Sequence, residues 1–129
     1  MSIKVVFGFI LISLLTACAQ TKFELSNGDT VNLSEYKGHW LLINYWAVWC
    51  KPCLEEIPEL NAVNKNDNIS VIGVNFDRQT GEKLKEQVTK MNIEFPIILD
   101  EPAKIFSQKK PNVLPATMVI NPQGKFVRW

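Results

Sequence analysis

The sequence predicts an α/β fold in which a central mixed β-sheet is flanked by helices and preceded by an N-terminal β-hairpin. Three observations predict it. The run Trp40–Trp46 is almost entirely apolar, the composition of a strand buried on both faces of a parallel-type sheet. A helical pattern follows, then a second apolar run, Ser70–Phe76, and this order makes a right-handed parallel crossover. Near the C-terminus, Ala116–Asn121 and Lys125–Arg128 flank an Asn-Pro-Gln-Gly turn and read as an antiparallel hairpin.

At 129 residues the chain is one domain plus an appendage, and the appendage is N-terminal. Lys4, the apolar run Val5–Leu15 and the small residues before Cys18 have the make-up of a secretory signal. Leu15-Thr16-Ala17-Cys18 is similar to the lipobox of bacterial lipoproteins, in which cleavage precedes the cysteine and its sulfur receives a diacylglyceryl group. An ordinary signal peptide and an uncleaved anchor are the alternatives, but the run falls short of the roughly 20 residues that span a bilayer. The expected organisation is a signal peptide over 1–17, a lipidated Cys18 with a short tether over 18–22, and one domain over 23–129. Acyl chains on Cys18 would hold that domain at a lipid membrane. By the same resemblance, Ala19 points to the outer membrane in a Gram-negative host.

Lys4 is the only charged side chain in residues 1–17, so its removal leaves basic and acidic side chains in equal number. A neutral balance without a basic stripe excludes a nucleic-acid footprint. A single Cys-x-x-Cys pair cannot build a four-cysteine zinc site, and the lone His39 sits in a Lys-Gly-His-Trp turn without convergent partners, so no metal is expected.

The remaining elements follow in order. Phe23–Leu25 and Thr30–Leu33 read as short strands around Asn27-Gly28, a strong hairpin signal, and Gly38 closes the next segment. Asn44 interrupts the first core strand and needs hydrogen bonds there. The helix after it carries Leu54, Ile57, Leu60 and Val63 on its apolar stripe, with a kink expected at Pro58 and an end at Asn66–Asn68. Thr80–Asn92 is a second helix, with Leu84, Val88 and Met91 inward and Glu82, Lys83, Lys85, Glu86 and Lys90 on a solvated face. Phe95–Leu99 extends the sheet edge, a short helix runs from Asp100-Glu101-Pro102 to Phe106, and Lys109–Asn112 is a loop.

The chemistry concentrates at Cys50-Lys51-Pro52-Cys53, between the first core strand and its helix. The first turn of a helix has unpaired N–H groups and a partial positive charge, which favour a thiolate at Cys50, and a thiolate is the nucleophile of disulfide exchange. Pro52 belongs in that first turn, where its missing N–H costs nothing. Cys53, one turn in, is the shielded partner. An inert structural disulfide is the bland reading, but so small a loop constrains the unfolded chain little. Lys51 either adds a cation near the thiolate or faces solvent. Glu56 lies one helical turn beyond Cys53; it either accepts the Cys53 proton during exchange or is surface charge. Trp49 and Trp46 wall the site, and Trp46 reads equally well as core.

These residues carry a resemblance. Asn44-Tyr45-Trp46-Ala47, Trp49-Cys50-Lys51-Pro52-Cys53 and Glu56-Ile57-Pro58 resemble the TlpA/ResA-like thiol-disulfide reductases of the thioredoxin superfamily, with looser similarity from Phe23 to the end of the chain. The resemblance implies a thioredoxin-like fold and a functional glutamate at Glu56. Asn44 stands where thioredoxin has a buried acid, a proton-carrying job that asparagine cannot do. Leu114-Pro115 would be the cis-proline that faces the dithiol and offers the Leu114 backbone to a substrate strand; a proline at the start of a strand often means no more than that. The resemblance implies a further helix after the terminal hairpin; the sequence stops at Trp129, so either it is incomplete there or something else covers that face of the sheet.

The activity implied is reduction of oxidised client proteins at the periplasmic face of a membrane, apocytochrome c among the candidates. It needs no cofactor beyond the dithiol, and its electrons would come from a membrane donor of the DsbD/CcdA type. A disulfide oxidase or isomerase would use the same residues, and a non-catalytic lipoprotein binding module is the alternative outside enzymes.

Overall fold

The computed structural model describes residues 21–129. The signal peptide, Cys18 and Ala19 lie outside the described residues. The five-stranded sheet has the order β5-β4-β3-β6-β7. β3 (Trp40–Trp46) and β4 (Ile69–Asn75) are parallel and joined by helix α1 (Lys51–Val63). β4 continues through α2 (Gly81–Lys90) into the parallel β5 (Ile97–Ile98). β6 (Ala116–Ile120) pairs antiparallel with β3 on its other side, and β7 (Phe126–Arg128) closes the sheet. The fold is thioredoxin-like, with a mixed sheet as the sequence predicts. Among the described residues no helix follows β7.

The apolar run of β3 is explained by burial on both sides. Ile43 and Tyr45 join Phe23, Met118 and Ile120 in one core, while Trp46 and the partly buried Leu42 pack with Cys53 and Ile57 in the other. On that second side Gly73 of β4 leaves room for its neighbours. A Cβ there would lie 2.5 Å from Ile97 Cδ1 and 2.9 Å from Phe95 Cε2.

The N-terminal hairpin, β1 (Lys22–Glu24) and β2 (Thr30–Asn32), begins one residue inside the expected tether, because Lys22 already pairs with Asn32. The hairpin also extends the main sheet. Ser26 N–H donates to Ile97 O and Leu99 N–H to Glu24 O, both at 2.8 Å, so it covers the open edge of β5. β5 itself is shorter than the expected Phe95–Leu99.

α1 departs from the sequence reading in its rotation. Its fully buried stripe is Cys53, Ile57 and Asn61, whereas Leu54 is 47% exposed. Asn61 is buried because both ends of its amide are satisfied by backbone: Nδ2 donates to Asn92 O at 2.8 Å and Oδ1 accepts from Glu94 N–H at 2.9 Å. Leu60 and Val63 flank the stripe, partly buried. Pro58 lies inside α1 without ending it. α2 matches its reading: Leu84 and the capping Met91 are buried, and the charged face is exposed.

A candidate dithiol site at the carboxyl ends of two parallel strands

β3 and β4 both end at the same edge of the sheet, and side chains that act on a ligand gather where parallel strands end. The chain leaving β3 carries Trp49 and Cys50; the chain leaving β4 carries Phe76 and Asp77. Strand register sets Ala116 against Tyr45, so Pro115, just before β6, is level with that same edge.

Cys50 is the N-cap of α1. Its Sγ accepts the N–H of Cys53 at 3.2 Å, one of the donors that a helix N-terminus leaves without an internal partner. Pro52 fills the first turn, as its missing N–H allows. The two sulfurs are joined as a disulfide, with Cα atoms 5.3 Å apart. The shielding expected for Cys53 alone extends to both: Cys50 is 4% and Cys53 1% exposed, since both sulfurs turn into the core beside Trp46 and Ile57. Lys51 and Pro52 are exposed on the rim.

The two tryptophans separate cleanly. Trp46 is fully buried core, with its Nε1 unpartnered. Trp49 is 60% exposed, and its Nε1 donates to Asp77 Oδ2 at 2.9 Å. Its ring meets the Phe76 ring edge-on at 6.0 Å, and Lys110 Nζ sits 4.5 Å from the Phe76 centroid while donating to Phe76 O at 3.1 Å. Lys110 thereby ties the loop that leads to Pro115 to the loop after β4.

The Leu114-Pro115 peptide is cis. Leu114 packs against both cores, and the exposed Pro115 lines a groove of about 350 Å³ with Val113, Thr117 and Trp129. On α1, Glu56 is half-buried and lines a cleft of about 190 Å³ with Glu59, Leu60, Val63 and Thr117. Burial, and secondarily the charge of Glu59, holds the Glu56 carboxyl above the ordinary carboxylate range. Asn44 is 1% exposed beneath; its Nδ2 donates to Thr117 Oγ1 at 3.0 Å and its Oδ1 has no partner.

Sequence reasoning missed Asp77, Phe76, Lys110 and Thr117. The first two were findable from their place immediately after a parallel strand. Lys110 and Thr117 join the site through contacts with residues far away in the chain, Phe76 and Asn44. A larger cleft, about 430 Å³, lies between Ser26, Asn27 and α2 and contains no thiol.

The AhpC/TSA family model matches residues 17–129. The chain belongs to the AhpC/TSA family. Within it, the resemblance to ResA is direct: the chain is 30% identical over 108 residues to the thiol-disulfide oxidoreductase ResA of Bacillus subtilis (strain 168), covering 81% of this chain and 60% of that protein. The chain thus spans about three fifths of the length of such curated relatives. Among solved structures, it is similar to the pneumococcal exposed lipoprotein thioredoxin of Streptococcus pneumoniae strain TIGR4, with TM-score 0.68, 25% identity, and coverage of 85% of this chain and 87% of that one. A DsbF homologue from Corynebacterium diphtheriae matches with TM-score 0.67 and 28% identity, over 83% of this chain and 71% of that one.

Proposed function

We propose that this AhpC/TSA family member is a thiol-disulfide oxidoreductase that reduces disulfides of exported proteins through Cys50 and Cys53. The observation that carries the reading is Cys50 at the N-cap of α1 with the Cys53 N–H on its sulfur. A negative sulfur at that position gains from the same N–H and from the helix N-terminus.

In the forward reaction the Cys50 thiolate attacks a client disulfide, forming a mixed disulfide and expelling one client thiolate. Cys53 then gives its proton to the Glu56 carboxylate and attacks the Cys50 sulfur. The second client thiolate leaves, the client has gained two electrons, and Cys50–Cys53 is again a disulfide. Trp49, the Leu114 backbone and Pro115 bound the place where a client strand lies, with Lys51 and Pro52 shaping the rim and Asn44 and Trp46 supporting the pair from below. No cofactor takes part; a membrane dithiol donor of the DsbD/CcdA type returns the electrons.

The protein works outside the cytoplasm, anchored through an acylated Cys18 after removal of residues 1–17, facing the periplasm in a Gram-negative host. The ResA and lipoprotein-thioredoxin likenesses support that placement. Clients are oxidised exported proteins, apocytochrome c among them. A second reading, disulfide oxidase or isomerase, draws on the same N-cap hydrogen bond, because stabilising the thiolate favours the reduced form of the pair.

Trapping tests the reading. Cys53→Ser should accumulate mixed disulfides between Cys50 and client proteins, and Cys50→Ser should accumulate few. Equal trapping by both variants, or none by either, would remove the assignment of Cys50 as attacking and Cys53 as resolving cysteine.

A further inference from the structure

Side chains alternate along β3. Ile43 and Tyr45 enter one core, whereas Leu42 and Trp46 enter the core that holds Cys53 and Ile57 of α1. Asn44 lies between Leu42 and Trp46 on that second face, so its amide is in the layer occupied by Cys53. The nitrogen end of the amide is fixed, since Nδ2 donates to Thr117 Oγ1 at 3.0 Å and strand register sets Thr117 directly beside Asn44. The carbonyl end is therefore turned away from Thr117, and its Oδ1 is a buried acceptor with no donor. An orphan of this kind costs on the order of a factor of ten in the folding equilibrium. Such an atom calls for a donor, and in this layer the Cys53 sulfur is a group that becomes one on reduction.

The disulfide has no hydrogen to give. Reduction by a dithiol breaks the S–S bond and, with two electrons and two protons, leaves two thiols; Cys50 then releases its proton most easily, and Cys53 keeps its S–H. We infer that Asn44 Oδ1 accepts the Cys53 S–H in the dithiol form, and that Thr117 is the positioning residue that holds the amide in the orientation to do so. An amide oxygen accepts a hydrogen bond without taking the proton. Asn44 therefore holds Cys53 as a resting thiol, while the proton leaves through Glu56 when Cys53 attacks. The inference rests on the cycling dithiol proposed above.

Since the orphan is relieved only on reduction, Asn44 tilts the couple toward the dithiol. The full chain in detergent, equilibrated against dithiothreitol and glutathione buffers, reads this tilt. Asn44→Leu and Asn44→Ala should move the equilibrium about tenfold toward the disulfide, which for two electrons is about 30 mV. Thr117→Val should move it the same way by less, with rescue by Thr117→Ser. In the Asn44 variants the oxidised form should gain thermal stability relative to the reduced form. Equal stability changes in both forms with an unmoved potential would reduce Asn44 to a structural residue and overturn the inference. A measurement without changes at Asn44 guards against misfolded variants: in the infrared spectrum of the reduced protein, the S–H stretching band that Cys53→Ser removes should lie at the lowered frequency of a hydrogen-bonded thiol. A free-thiol frequency would also overturn it. A wild-type pair that never cycles defeats the proposed function itself; a cycling pair whose potential ignores Asn44 leaves that function standing and removes only this inference.

Discussion

Trp49 Nε1 donates to Asp77 Oδ2 at 2.9 Å, so the exposed ring next to Cys50 in the chain is tethered to the loop that follows the neighbouring strand. A tethered ring presents a fixed surface to a client and loses less rotamer freedom on binding than a free one. A single exposed hydrogen bond is worth about 1 kcal/mol. Asp77→Ala should therefore lower kcat/KM for a protein disulfide roughly fivefold, mostly through KM, and leave exchange with a small aromatic disulfide unchanged. Parallel kinetics on the two substrates checks this; an equal loss on both would place the effect at the sulfurs and not at client binding.

Glu56 gives a pH prediction whose sign follows from its direction of shift. Its carboxyl is held above the ordinary range by burial and then by Glu59, so the folded protein binds that proton more tightly than the unfolded chain. The stability linked to it is full below the unfolded carboxylate value of about 4.3 and is lost as pH rises through the higher folded value. Glu56→Gln should accordingly be more stable than wild type near neutrality and indistinguishable from it in acid, by thermal melts across pH. In stopped-flow exchange the same variant should slow release of the second client thiol by on the order of 10²-fold and lose the acid limb of its pH profile. A profile identical to wild type would take Glu56 out of the mechanism.

Gly73 tests the packing beneath the site. Its added Cβ would meet Ile97 Cδ1 at 2.5 Å, Phe95 Cε2 at 2.9 Å and Trp46 Nε1 at 3.0 Å, side chains that are themselves enclosed in the core. Gly73→Ala should cost about 1–3 kcal/mol of overpacking strain and lower Tm by several degrees. An unchanged melt would mean that the chain between α2 and β5 yields easily.

Where the fold was legible in the sequence, a single local rule sufficed. The run Trp40–Trp46 read as a doubly buried strand because it is almost entirely apolar, and Cys50 read as a helix start because a helical pattern follows it and Pro52 suits the first turn. Rotation of α1 was not legible: Asn61 lies on the inward stripe because its amide meets the backbone of Asn92 and Glu94, partners that helical periodicity does not reveal. Trp46 and Trp49 are the same residue type three positions apart, and only the turn between strand and helix sends one inward and the other out. The docking of the N-terminal hairpin on β5 was hidden for a similar reason, since it rests on backbone hydrogen bonds that any side chain permits.

The N-terminus carries its own prediction. Protein extracted from membranes should show, by mass spectrometry, a first residue Cys18 bearing acyl chains, because Leu15-Thr16-Ala17-Cys18 directly follows the apolar run. A soluble, unmodified product beginning at another residue would exclude the anchor while leaving the dithiol chemistry untouched.

The direction of electron flow is decided by the reduction potential, on which, besides the Asn44 contact inferred above, two local features act in the same sense. The Cys53 N–H on the Cys50 sulfur, with the helix N-terminus behind it, stabilises a thiolate and so pushes the potential upward. Lys51 adds a cation on the rim, but it is exposed, where water and salt screen it and its mobile chain spends little time near the sulfur. One N–H and a screened lysine make a modest push, and neither supplies the large stabilisation of a strong oxidant's thiolate. The expected potential therefore lies nearer the roughly −270 mV of thioredoxin than the roughly −120 mV of a strong oxidase. Equilibration of the full chain against glutathione and dithiothreitol buffers gives the value. A result near the oxidase end would reverse the proposed flow, with the protein then delivering disulfides to its clients through the same Cys50 and Cys53.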